Sequence, residues 1–165
     1  MQQYHFLSEY IVKVASALPL KLIDSLKESL NALGDIAENI KEADIIQLVE
    51  IQRANYEYYS ENVFPNVQIN DESNQYSLEL DSLTFGSESR LIDLGGKGKT
   101  QRFAAFMFII DCEKESRINF PAQSTSNVCN IGDLYILPPY FTHRFHVEIS
   151  EKQCLRSVNL YCCMS

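Results

Sequence analysis

Between positions 20 and 33 the apolar residues recur every three or four places: Leu22, Leu26, Leu30 and Leu33, with Ile23 widening the stripe. That spacing predicts an amphipathic helix. Pro19 suits its first turn and Gly34 its C-terminal cap. A second helix is predicted from Asp44, where Asp44-Ile45-Ile46-Gln47 has the form of a capping box, to about Tyr59. The N-terminal part of the chain thus reads as helical. The tyrosine-rich stretch Asn55-Tyr56-Glu57-Tyr58-Tyr59 reads as a helix flank packed on a sheet.

After Pro65 the period changes to two. Tyr76, Leu78 and Leu80 alternate with Ser77, Glu79 and Asp81, which predicts a half-buried strand. The phase slips before Leu83 and Phe85, predicting a bulge near Ser82. From Arg102 to Ile110 the chain is almost continuously apolar, as a strand buried on both faces would be. Further strands are predicted at Ile118–Phe120, Asp133–Leu137, Phe141–Ile149 and Leu155–Cys163, with glycines and prolines punctuating the gaps. Helices first and short strands after predict an α+β fold, N-terminal helices packed on an antiparallel barrel. A single domain is expected over 1–165, with a helical support region at 1–65 and the strand-rich core at 70–165.

Composition narrows the function. At 165 residues, 45% hydrophobic and 22% charged, the chain has the make-up of an ordinary globular domain with a sizeable core. A net charge of −8 without clustered Lys and Arg argues against nucleic acid as a partner. No apolar run approaches the roughly 18 residues that span a bilayer. Met1–His5 also lacks the basic region of a signal peptide, so no membrane partner is expected and the cytoplasm is the expected location. Five cysteines with no CxxC spacing point to reduced thiols, not to a disulfide framework or a structural zinc site. GxGxxG, P-loop, HExxH and GxSxG motifs are absent from the sequence. Gly95-Gly96-Lys97-Gly98-Lys99-Thr100 lacks the Walker spacing and reads as a hairpin loop.

Candidate chemistry gathers in Asn130–Val147. A glycine turn leads into a strand, prolines end it, and His143 opens the next. That order aims the His143 imidazole into the mouth of a barrel, where metals and small ligands sit. His146, three residues on, should face the other way.

The same segment, Gly132-Asp133 with Pro138 and His143-Arg144, resembles the distal-histidine motif of the Fe(II)/2-oxoglutarate-dependent oxygenases, in their prolyl-4-hydroxylase-like branch. Arg102–Asp111 resembles the core strand of that family, Asp111–Pro121 its acidic turn leading to a Phe-Pro, and Arg156-Ser157 its 2-oxoglutarate-binding arginine region. The resemblance spans roughly 76–163 and implies a double-stranded β-helix (jelly-roll, cupin-like) fold. The glycine, proline and histidine spacing is similar to the second cupin motif as well, with Tyr140 where cupins prefer glycine.

The family's chemistry uses two histidines and a carboxylate on Fe(II), with open positions for 2-oxoglutarate and oxygen. By resemblance, the metal ligands would be His143 and Asp93, and the co-substrate contacts Arg156 and Ser157. Leu91 occupies the position of the first histidine, so the facial triad is incomplete and the metal site degenerate. His5 is the one remaining histidine. Arg156 and Ser157, being neighbours on a strand, point oppositely unless a bulge intervenes. The resemblance implies a hydroxylase using Fe(II) and 2-oxoglutarate on a small-molecule or protein substrate. Its alternatives are a catalytically inactive double-stranded β-helix serving as a binding or assembly module, homodimer formation included, and a cupin-like pocket without redox chemistry.

Overall fold

The computed structural model describes residues 3–30, 36–63, 76–87, 90–95, 101–150 and 152–164. Gly34, Pro65 and the Lys97–Thr100 loop lie outside them. Nine strands and three helices run in the order β1 (Tyr4–Phe6), β2 (Val12–Val14), α1 (Leu20–Leu30), α2 (Ile36–Asn39), α3 (Glu42–Val63), β3 (Ser77–Phe85), β4 (Arg102–Asp111), β5 (Arg117–Phe120), β6 (Thr125–Val128), β7 (Leu134–Leu137), β8 (His146–Glu148) and β9 (Leu155–Cys163) among the described residues. The strands form two antiparallel sheets, ordered β1-β2-β7-β4-β9-β3 and β6-β5-β8. A bridge between Ile92 and Phe145 adds the Ile92 segment beside β8.

β4 is central because both of its faces are apolar. Ala104, Phe106, Phe108 and Ile110 join Leu22, Leu26, Leu48 and Tyr59 in one core between the large sheet and the helices. Ala105, Met107 and Ile109 join Ile118, Phe120, Phe145 and Val147 in a second core between the sheets. β9 is buried on both faces in the same way, with Val158, Leu160 and Cys162 toward the helices and Leu155, Tyr161 and Cys163 toward the small sheet.

That two-sided burial explains the phase slip near Ser82. β3 pairs with β9 residue for residue from Ser77↔Cys163 to Phe85↔Leu155, with no bulge. Leu78 and Leu80 face the helices, whereas Leu83 and Phe85 face the inter-sheet core. The apolar phase changes because the covered face changes along the strand. The register shifts fall instead in the β4–β9 pairing, at Arg102/Ala104 and Ile109/Asp111.

The N-terminal region differs from a purely helical reading. β1 and β2 form a hairpin that extends the large sheet through β2–β7, Val12↔Ile136 and Val14↔Leu134. α3 starts before Asp44 and continues past Tyr59. Asp44 is therefore not a cap; it is buried and accepts a hydrogen bond from Ser25 Oγ. The buried stripe of α3 is Asp44, Leu48, Gln52, Asn55, Tyr59 and Val63. Half of it is polar, which blurs the helical signal in hydrophobicity alone. The tyrosines of α3 do pack on the sheet. Tyr58 stacks on Tyr4 at 3.5 Å, Tyr59 donates to the Tyr10 carbonyl, and Tyr56 lies 6.4 Å from the Phe106 ring.

Candidate functional site

The segment Pro138–Val147 leaves β7, turns and returns as β8. The predicted strand from Phe141 is a 3₁₀ turn at Phe141–His143, closed by the His143 amide donating to the Tyr140 carbonyl, and β8 begins only at His146. His143 is half-buried, with Nδ1 2.9 Å from Thr142 Oγ1 and its ring edge-on to Tyr10 at 6.1 Å. Burial holds its imidazole below the ordinary histidine range, so the ring is neutral near pH 7. His146 is half-buried at the start of β8. His5 lies on β1, exposed and cross-strand from Lys13.

The Ile92–Phe145 bridge sets which side chains face inward. Phe145 is fully buried between the sheets, and Ile92 packs against the same core. Alternation then turns Leu91 and Asp93 outward. Leu91 is 46% exposed and Asp93 is exposed, its Oδ1 accepting the Gly95 amide at 2.8 Å. Leu94, the next inward residue, is buried. On the inner side of this bridge the interior holds Ile92, Leu94 and a cluster of rings. Phe145 lies 5.9 Å from Phe85 and 5.6 Å from Phe120. His143 and Asp93 are thus brought near along the backbone, but Asp93 is turned to solvent.

Ser157 and Arg156 are divided between the faces of β9. Ser157 is fully buried and donates to Asn159 Oδ1 at 3.0 Å. The register shift opposite them places its extra residue on β4, and β9 alternates regularly against β3. Arg156 therefore stays on the opposite face from Ser157, half-buried between Thr84 and Asp111. The fit to Fe(II) and 2-oxoglutarate is poor on the chemistry of the donor set. Asp93 faces solvent, Ile92 and Leu94 beside it pack into the apolar inter-sheet core, and Arg156 lies on the opposite face of its strand from Ser157.

A different polar group occupies the inter-sheet side of β3 and β9. Asn159 Nδ2 donates to Asp81 Oδ1 at 2.7 Å, and Tyr161 OH lies 3.0 Å from both Asp81 oxygens. Arg102 lies over the Tyr161 ring at 3.7 Å, with Nε donating to Glu79 and Nη1 to the Leu94 carbonyl. The sequence pattern does not mark Asp81, which stands at a polar position of an alternating strand, the position ordinarily turned to water. Burial raises the Asp81 carboxyl, although Asn159, Tyr161 and Arg102 oppose the rise.

A raised folded value gives a definite sign. Stability from this group is fully present below the unfolded value of 3.8 and is lost as pH rises through the folded value. Urea unfolding of Asp81→Asn, measured from pH 3 to 7, is expected to show a smaller loss of stability with rising pH than the parent protein. Parallel curves would show that Asp81 titrates alike folded and unfolded.

No family model and no curated protein matches the sequence. Solved structures do match. A truncated form of the viral collagen prolyl hydroxylase vCPH of Paramecium Bursaria Chlorella virus-1 superposes with a TM-score of 0.65 at 12% identity, covering 94% of this chain and 90% of that one. The same enzyme in its 2OG complex gives 0.59 at 12% identity, with 94% and 96% covered. A Pseudomonas putida prolyl-4-hydroxylase gives 0.60 at 11% identity, with 94% and 93% covered. The chain has a prolyl-4-hydroxylase-like fold. At 11–12% identity the likeness concerns architecture and leaves the chemistry to the residues described above.

Proposed function

We propose that the chain is a double-stranded β-helix of the 2-oxoglutarate oxygenase type whose metal centre has been replaced by packed side chains. In this reading it serves as a binding or assembly module, with a protein or small molecule, or a second copy of itself, as partner. The helix-type wrapping is supported by the strand order β2-β7-β4-β9-β3 facing β6-β5-β8 and the Ile92 segment. The observation that carries the functional reading is the inward pair Ile92 and Leu94 packed with Phe145, beside an Asp93 committed to the Gly95 amide. A net charge of −8 disfavours a nucleic-acid partner in this reading, and among the described residues no helix is long and apolar enough to cross a membrane.

A second reading keeps the hydroxylase activity. It is favoured by His143, half-buried and neutral, which retains the protonation state a metal ligand needs. Here His143 and Asp93 would hold Fe(II), with Arg156 and Ser157 toward 2-oxoglutarate, and the loop bearing Asp93 would have to turn inward.

Anaerobic titration of the metal-free protein with Fe(II) and 2-oxoglutarate separates the two. The module reading expects no saturable metal-to-ligand charge-transfer band. A band that saturates in the parent and disappears in His143→Ala and Asp93→Ala would establish the oxygenase site instead.

A further inference from the structure

Cys112 follows β4 and Cys129 follows β6, strand ends that belong to different sheets. The turn Glu113–Ser116 folds the chain back so that they meet. Ser116 donates through its amide to the Glu113 carbonyl at 3.2 Å and through Oγ to the same carbonyl at 2.7 Å. The Cys129 amide donates to the Ser116 carbonyl at 2.9 Å. Cys112 Sγ is then 3.7 Å from the Cys129 carbonyl oxygen, and Cys129 Sγ is 3.4 Å from the Ser116 carbonyl. Both cysteines are reduced, Cys112 half-buried and Cys129 1% exposed.

We propose that Cys112 and Cys129 form an oxidant-sensitive dithiol, in which a peroxide converts the pair to a disulfide between the end of β4 and the end of β6. The half-buried Cys112 is the sulfur a peroxide reaches. Its thiolate attacks one peroxide oxygen, the O–O bond breaks, and Cys112 becomes a sulfenic acid as the first water leaves. Cys129 then attacks that sulfur, the S–O bond breaks, and its proton leaves with the hydroxide as the second water. Two thiols lose two electrons and two protons, and hydrogen peroxide is reduced to two waters.

The electrostatics assign the roles in the same order. A hydrogen bond from the Cys129 thiol holds Cys112 below the ordinary thiol range, helped by Lys27 and opposed by burial, Asp111 and Asp133. Cys129 is pushed up by Cys112 and by burial, which suits a resolving thiol over an attacking one. The other cysteines are placed differently. Cys162 and Cys163 face opposite cores of β9, and Cys154 precedes that strand.

Beside the pair lies an open groove of about 610 Å³, lined by Glu113, Ser116, Arg117, Val128, Glu148 and Ile149. Glu113 and Val128 are the chain neighbours of the two cysteines, so the new bond would join two of the segments that line that groove. The dithiol chemistry is independent of any metal between the sheets.

The test is peroxide treatment of the native protein, alkylation of remaining thiols, and peptide mapping without reduction. The expected result is a mass loss of about 2 Da and one cross-linked species joining the Cys112 and Cys129 peptides. Cys112→Ser should abolish both, and the oxidised parent should melt several degrees higher because a closed loop restrains the unfolded chain. A sulfinic acid at Cys112 without a cross-link, a cross-link between other cysteines, or the same loss in Cys112→Ser would overturn the proposal. If Cys112→Ser does not fold, the peptide map of the parent decides alone.

Discussion

Replacing Asp133 with alanine is expected to cost about 3–5 kcal/mol, the range for breaking a buried ion pair from one side. The carboxylate is 3% exposed and serves three partners. Lys13 Nζ lies 3.4 Å from Oδ2, the Asn130 amide donates to Oδ2 at 3.0 Å, and the Ser16 amide donates to Oδ1 at 3.1 Å. Removing it leaves two amides without acceptors and a lysine, 12% exposed, without its counter-charge. Lys13 keeps the Val128 carbonyl at 2.9 Å and the nearby Tyr135 ring, which limits the loss but does not replace the carboxylate.

The cost also has a structural address. Asp133 follows Gly132, whose φ of +93° and whose amide and carbonyl bonds to Ile109 and Leu18 hold the turn entering β7. Through Lys13 and Ser16 the same carboxylate ties the N-terminal hairpin to that turn. Denaturant unfolding of Asp133→Ala, Lys13→Met and the double variant measures the coupling. Lys13→Met should cost less, because Asp133 then keeps two amide donors. The double variant should be more stable than the sum of the single losses implies. Strict additivity would mean that the two charges do not interact.

The legible parts of this fold are those where a long apolar run leaves little choice. β9 has the predicted bounds Leu155–Cys163, and β4 is the two-sided apolar strand expected from Arg102 onward. β1, β2 and β6 escaped because each spans three or four residues, too few to establish a period of two. Their partners are also distant: Val12 pairs with Ile136, a contact that local pattern does not encode. Within the candidate site, the position of His143 after a glycine turn and prolines was readable. Its local conformation was not, since the chain spends Phe141–His143 in a 3₁₀ turn before resuming a strand. The orientation of Asp93 was unreadable for a related reason. Side-chain facing depends on the single bridge Ile92–Phe145, and a shift of one residue there would have turned Asp93 inward and Ile92 outward.

That dependence makes Phe145 the decisive position. Phe145→Ala is expected to cost about 3–5 kcal/mol, as removal of a fully enclosed aromatic ring does when its surroundings collapse only in part. The ring is 0% exposed, and Phe85 and Phe120 flank it at 5.9 and 5.6 Å. The backbone bonds do not depend on the ring. The Ile92 amide donates to the Phe145 carbonyl at 2.6 Å, and the Phe145 amide to the Ile92 carbonyl at 3.1 Å, so the bridge should survive the substitution. The loss is then a cavity between the sheets, and Phe145→Leu should recover much of it by refilling volume. His143→Ala and Asp93→Ala make the comparison informative. One imidazole is half-buried and the Asp93 carboxylate is exposed, so each should change stability far less than Phe145→Ala. Thermal or urea unfolding in that order of severity is the signature of two sheets with packed core between them. A tolerated Phe145→Ala, unfolding near the parent, would mean that the space behind Ile92 and Leu94 is already open, and would restore the case for a ligand inside it.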